Sequence, residues 1–364
     1  MRNAEWIDAP AVQAASAPLW HPGEGCLYWS DPATCRLFRM APAGPAQAEP
    51  TSPGDTGGAQ AQTETVAVET VLDDGRPVGA MALQADGSLL LFRDHGNIVV
   101  FKDGAVSRTV LNGPADYRQT RFSAAAADPF GRVFCCALSD SHHAARLLLL
   151  DRSGRLSLVA DGFGIPTGLA VSADGAWLYL SDAHVLRRTI WRIPIVRGGQ
   201  PSADPLPFHD GFADAANCPG EPDGLAAAAD GSLWSARRDA GAIVRLDADG
   251  RTAETLRLPV RRPAGLCFGG PNLRDLYVTT AGAHRRVLEG ARAGDLAVFR
   301  AMKMAGAAPF VSRIQLPDEV QTPTATKAVE PTPEGDATTG ASSPQPEEAA
   351  PPQPDGSSGS FVSL

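Results

Sequence analysis

The phrase Glu221-Pro222-Asp223-Gly224-Leu225-Ala226 runs on through three more alanines to Asp230-Gly231-Ser232-Leu233-Trp234, and it recurs along the chain. A turn opens a short apolar strand, an Asp-Gly turn reverses it, and a second strand follows, which is the pattern of a β-hairpin. Pro166-Thr167-Gly168-Leu169-Ala170 leads in the same way to Asp174-Gly175, Pro77-Val78-Gly79 to Asp86-Gly87, and Pro263-Ala264-Gly265-Leu266 to Gly269-Gly270. Shorter copies stand at Phe122-Ser123-Ala124 with Gly131 and at Ala17-Pro18-Leu19-Trp20 with Gly25.

Six copies of one hairpin restrict the fold sharply. The turn glycines Gly87, Gly131 and Gly175 recur about every 44 residues, inside the roughly 40 to 50 that a four-stranded blade takes. The repeat predicts an all-β chain folded as a six-bladed β-propeller. A β-sandwich with coincidental Asp-Gly turns has no need of a repeating phrase. In a closed ring, equivalent positions face one axis. Counting back from each turn glycine gives Ala17, Ser123, Thr167 and Asp223, with Val78 and Ala264 in the analogous places of the other two blades. These residues are expected to ring one mouth of a central channel, and only Asp223 among them is charged.

Composition sets the edges of the domain. The net charge of −9 resides mostly in residues 317–364, which hold eight acids against Lys327. This Pro/Thr/Glu/Ser-rich stretch cannot bury enough apolar surface to order itself and is expected to be a disordered acidic tail. The propeller is then residues 1–316, near neutral, with no basic face for nucleic acid. Residues 41–65, almost free of large apolar side chains, read as a disordered insertion between two strands of the first blade. The start, Met1-Arg2-Asn3-Ala4-Glu5-Trp6, lacks a signal-peptide pattern and no apolar run reaches membrane length, so a cytoplasmic protein without membrane contact is expected. Cys26, Cys35, Cys135, Cys136, Cys218 and Cys267 show no zinc or redox spacing and read as reduced core thiols.

The remaining blades follow in order. Blade two is expected to start at Val66, and blade six to take in residues 263–280 and 296–300, with 310–316 adding an edge strand or closing the ring. Asp31, Asp140 and Asp182, each after a serine at a strand end, read as turn residues that satisfy backbone groups. His142, His143, His184 and His284 read as loop histidines without a chemical role, and Arg187-Arg188 and Arg285-Arg286 as solvated loop charges.

The segment Pro222-Asp223-Gly224-Leu225-Ala226 with Asp230-Gly231 and Leu233-Trp234, then Arg262-Pro263 and Phe268-Gly269-Gly270 before Leu276-Tyr277-Val278-Thr279, resembles the regucalcin/gluconolactonase family. The resemblance covers roughly residues 12–312 and implies a six-bladed propeller that hydrolyses sugar lactones with one divalent cation, calcium or zinc, in its channel. It implies metal ligands at positions 16, 167 and 223 and substrate contacts in the third blade at Arg121 and Ser123. Asp223 and Arg121-Phe122 match the family's pattern. Ser16 stands for a glutamate, Thr167 for an asparagine, and Ser123-Ala124 for an Asn-Asp pair.

Calcium takes several anionic oxygens, and zinc takes carboxylate, imidazole or thiolate. One carboxylate among hydroxyls weakens such a site and any Lewis-acid activation that depends on it. Two readings stay open. In the first, Asp223 is ligand and general base of a lactone hydrolase, with Ser16 and Thr167 as weak ligands and Arg121 orienting the substrate. In the second, the propeller has lost its chemistry and binds a small ligand or a protein partner, the alanines at 124–127 having widened the channel.

Overall fold

A computed structural model describes residues 3–41, 67–113, 117, 120–139, 145–198 and 204–315 of the chain. Within them lie six four-stranded antiparallel sheets, the blades of a β-propeller. The innermost strands are Ser16–His21, Val78–Leu83, Thr120–Ala127, Pro166–Val171, Glu221–Ala227 and Pro263–Gly269. The tail expected at 317–364, the insertion expected at 41–65 apart from Ala41, and Asp140, His142 and His143 lie outside the described residues.

The Asp-Gly turns fold the hairpins as their chemistry demands. Gly87 and Gly231 hold φ of 81° and 83°, left-handed values that an L side chain resists. The preceding aspartates lock the turns: Asp86 Oδ1 accepts from Ser88 N and Oγ at 3.0 and 2.6 Å, and Asp230 Oδ1 accepts from Ser232 N and Oγ at 3.0 and 2.6 Å. Hydrogen bonds to its ionised form hold the Asp86 carboxyl below the usual range, against burial, which alone would raise it.

The core lies in the seams between blades. Trp234, Ile243 and Leu256 of blade five pack on Leu276 and Phe299 of blade six, and Phe122 of blade three meets Phe92 of blade two edge-on at 5.3 Å. The other four seams carry comparable clusters. A blade therefore buries its apolar faces only against its neighbours.

Two expectations about the ring are corrected. Val68–Asp73 pairs with Arg36–Met40 as the outer strand of blade one, so blade two begins at Val78 rather than at Val66. The ring is closed by the N-terminus: Glu5–Ile7 pairs with Leu296–Phe299 as the outer strand of blade six. Residues 310–315 form neither an edge strand nor the closure. They belong to a strap across the lower face, held by Gly306 N to Leu273 O at 2.7 Å, Ala307 N to Ala227 O at 2.9 Å, Ser312 N to Leu83 O at 2.7 Å and Arg313 N to Gly131 O at 2.8 Å. A period count could not see this, because a three-residue strand and an irregular strap carry no repeat.

The six cysteines are free, four of them buried. Among the described residues no helix is long and apolar enough to cross a membrane.

Trp29 lies in the seam between blades one and six, 1% exposed and stacked on Phe38 at 5.4 Å. Trp29→Ala is expected to lower stability by about 3–5 kcal/mol, read as a fall in the urea midpoint.

Candidate functional site

Every inner strand carries a β-bulge at its first residues. Phe122 pairs with Ala137 and Ala124 with Cys136, which leaves Ser123 unpaired. Pro166 pairs with Asp182 and Gly168 with Ser181, which leaves Thr167. Pro222 pairs with Arg237 and Leu225 with Ser235, so Asp223 and Gly224 face a single residue. The other three strands slip at the same place, at 16–19, 78–80 and 263–266. A bulge breaks the alternation of faces and re-aims one side chain. Here it turns the bulged residue toward the channel while the strand beyond it packs into the seams.

The bulges bring Ser123, Thr167 and Asp223 together with Ser16, which stands just before the bulge of its own strand, around one pocket of about 120 Å³ that Ala17 and Ala264 also line. The pocket is continuous with a wider mouth of about 470 Å³ that Arg121, Arg238, Arg262 and Asp94 also line. The sequence count thus places five of its six channel positions correctly. Val78 is the correction: it is 1% exposed and packed in the seam between blades one and two, while Gly79 occupies the mouth. Only a glycine fits there, because a Cβ would strike the Phe122 backbone.

The hydroxyls of the ring donate to backbone carbonyls of the next blade. Ser16 Oγ donates to Gly79 O at 2.9 Å, Ser123 Oγ to Pro166 O at 2.6 Å, and Thr167 Oγ1 to Pro222 O at 3.4 Å. What these side chains present to the channel is lone pairs. Asp223 adds a carboxyl that still reaches channel water yet is closely surrounded by protein. Burial lifts it to about 7; Arg238 and the neighbouring Thr167 hydroxyl oppose the rise, and the charges of Glu221 and Asp239 add to it.

The backbone beneath Asp223 is fixed across the seam. The Ser181 hydroxyl, at the end of blade four's second strand, donates to the Asp223 carbonyl. Asp182 beside it accepts from Gly164 N at 2.9 Å and Ile165 N at 2.8 Å, and Asp31 accepts from Gln13 N at 2.9 Å and Ala14 N at 3.1 Å. These carboxylates satisfy backbone groups, as expected, and in doing so clasp the segments that lead to Thr167 and Ser16. His184 Nδ1 accepts from Leu186 N at 3.2 Å within its own loop.

Sequence reasoning missed Arg238, Arg262, Asp94 and Glu221. Arg238 binds Glu221 Oε2 through Nη2 and Nε at 2.7 and 3.2 Å. The signal was the hairpin register, since an antiparallel second strand returns to the mouth where the first began. Counting only the starts of inner strands passes over it.

The donor set does not fit a divalent cation. Calcium takes roughly six to eight oxygens with several charges among them, whereas the ring offers one carboxyl and three neutral hydroxyls. Among the described residues no group of three or more His, Cys, Asp or Glu side chains converges.

Residues 14–282 match the family described as SMP-30/Gluconolactonase/LRE-like region. Pentonolactonase XacC of Haloferax volcanii is 33% identical over 274 residues, 75% of this chain and 83% of that protein. The 6-deoxy-6-sulfogluconolactonase of Pseudomonas putida is 30% identical over 287 residues, 78% of this chain and 88% of that one. Among solved structures, luciferin-regenerating enzyme superposes with a TM-score of 0.70 at 18% identity, covering 86% of this chain and all (100%) of that chain. Regucalcin of Agrobacterium tumefaciens, described as a calcium-binding protein, gives 0.69 at 19%, covering 86% and 98%. At such identities these two structures speak for the fold alone.

A Cβ at Gly168 would strike both the Asp223 carbonyl and the Ser181 hydroxyl. Gly168→Ala is expected to cost about 1–3 kcal/mol of stability and to shift the Asp223 carboxyl, read as a changed titration of its resonance by NMR.

Proposed function

Because the chain belongs to the SMP-30/gluconolactonase/LRE-like family, we propose that it hydrolyses sugar lactones at the channel mouth, with Asp223 as general base. The observation that carries this reading is one carboxyl lifted to about 7 and set among Ser16, Ser123 and Thr167 in a pocket that Arg121 overlooks. The two lactonase names among the relatives support the substrate class.

The chemistry follows from the groups present. The lone pairs of Ser16, Ser123 and Thr167 accept hydrogen bonds from the hydroxyls of a polyol, the donors a sugar lactone brings. Arg121 sits on the mouth side, where its guanidinium orients the lactone carbonyl and meets the negative charge that grows on that oxygen. Ionised Asp223 takes a proton from water as the water oxygen bonds to the carbonyl carbon. The tetrahedral intermediate then breaks its ring C–O bond, and the same carboxyl returns the proton to the departing oxygen. The product is an open-chain hydroxy acid. The sequence resemblance assigns Ser16 and Thr167 to a calcium or zinc ion. Since the donor set does not suit either, no step is routed through a metal.

A base that titrates near 7 is half ionised close to neutrality, where general base catalysis works best. The base form grows as pH rises through about 7. Therefore kcat/KM is expected to climb about tenfold per pH unit below roughly 6 and to level above roughly 8. Asp223→Asn is expected to cost ~10²- to ~10⁴-fold in kcat with the pH dependence gone. Lactone opening followed by pH-stat on gluconolactone and a pentonolactone reads both. An unchanged Asp223→Asn rate overturns the assignment.

A second reading has its own observation in favour. Ala124 and Ala125 line the pocket where polar contacts to substrate would stand, which suits a channel that binds a small ligand without turning it over. Under that reading, the lactones raise the melting temperature saturably while no acid is released.

A further inference from the structure

On the face of the ring opposite Asp223, a cavity of about 770 Å³ opens between blade three, blade four and the strap. Arg152 enters it from the turn after Leu150, Arg197 from the turn after Pro194, and Arg313 from the strap. Among the described residues none of these three guanidinium groups has a carboxylate within ion-pairing distance; the one recorded bond is Arg152 Nε to the Arg313 carbonyl at 3.4 Å. Other turns on the same face behave differently. Lys102 pairs with Asp86 at 3.7 Å, Arg245 with Asp230 at 3.6 Å and Arg300 with Asp275 at 2.8 Å.

The acids within reach are already engaged. Asp128, wholly buried, holds Arg132 at 2.7 Å, and Arg132 also donates to Val196 O at 3.0 Å, so this pair forms a neutral wall. Asp151 turns back on its own turn, accepting from Ser153 N at 2.9 Å, Ser153 Oγ at 2.6 Å and Arg155 N at 3.0 Å. Ser157, Gln315, Phe130 and Leu149 also line it. Among the described residues, three exposed arginines without an ion-pair partner line one cavity against the single carboxylate of Asp151, so its wall keeps a net positive charge that a multiply charged anion would complement. Arginine forks match the paired oxygens of phosphate and carboxylate groups.

We propose that this cavity is a second ligand site, separate from the lactone pocket, that binds a small oxyanion carrying two or more charges. The site does not depend on the lactone reading. The chemistry on offer is shared by phosphate esters and polycarboxylates, and two probes separate them.

The test is thermal unfolding and isothermal titration of the full chain with inorganic pyrophosphate and with citrate, each against sodium chloride of equal ionic strength. A saturable rise in melting temperature above the chloride reference is expected, with one site per chain and at least about a tenfold loss of affinity in the double variant Arg152→Ala/Arg313→Ala. Pyrophosphate binding ahead of citrate assigns a phosphate ester, and the reverse order assigns a polycarboxylate. The surface change Arg197→Gln provides a second variant should the double one fail to fold, and it too is expected to weaken binding. Asp223→Ala, on the far face, is expected to bind both probes as the unaltered chain does. A rise no larger than in chloride, or affinity unchanged in the arginine variants, overturns the proposal.

Discussion

Each blade of this protein is a thin sheet whose apolar faces are covered only by its two neighbours, so the structure depends on the closing of the ring. The last seam joins blades six and one, where the three residues Glu5–Ile7 supply the outer strand of blade six beside Leu296–Phe299. Ile7, Trp20, Trp29 and Tyr277 then pack as one cluster across blades six and one. Until that strand is in place, Leu296–Phe299 offers an unpaired edge and the seam lacks Ile7. A short strand thereby completes blade six and adds buried apolar surface to the closing seam.

Closure also makes the site. A bulge at the start of an inner strand would be a local irregularity in an open sheet; repeated around a ring, it sets the bulged residues of six strands about one axis. What those side chains do then follows from their neighbours. The serines and the threonine direct their protons onto carbonyls of the adjacent blade, so the seams that hold blades together also set the polarity of the channel. Asp223 stands among neutral oxygens with Arg238 already bound to Glu221, and burial outweighs the arginine's pull on its carboxyl. A second carboxylate at the ring would favour a cation; without one, the pocket suits proton transfer and hydroxyl recognition.

The two faces of the ring differ for a topological reason. Starts of inner strands and ends of second strands meet at the upper mouth, and their backbone groups are clasped by Asp31 and Asp182. The lower face is covered by the strap, which crosses from blade six to blade three and places Ala307 and Phe310 at the channel's lower end. The strap also carries Arg313 into the basic cavity, a juxtaposition that no blade makes alone.

Much of this was legible in the chain itself. The repeated hairpin phrase announced six blades because turn glycines and strand alternation are local chemistry, and the offset from each turn glycine placed Ser123, Thr167 and Asp223 on one axis. The same count misjudged Val78, since the bulge in blade two sends Gly79 to the mouth and Val78 into a seam. It assigned Val68–Asp73 to the wrong blade and gave residues 310–316 an edge strand or the closure, because the pairing of Glu5–Ile7 with Leu296–Phe299 is a contact between segments far apart in sequence with no local signature. Arg238 at the mouth and the three arginines of the lower cavity carry no such repeat and are brought to their places by tertiary contacts alone. Sequence determines which residues lie in equivalent places of a repeat; only the closed tertiary structure decides which of them face one another, as distances between blades are set by packing and not by position along the chain.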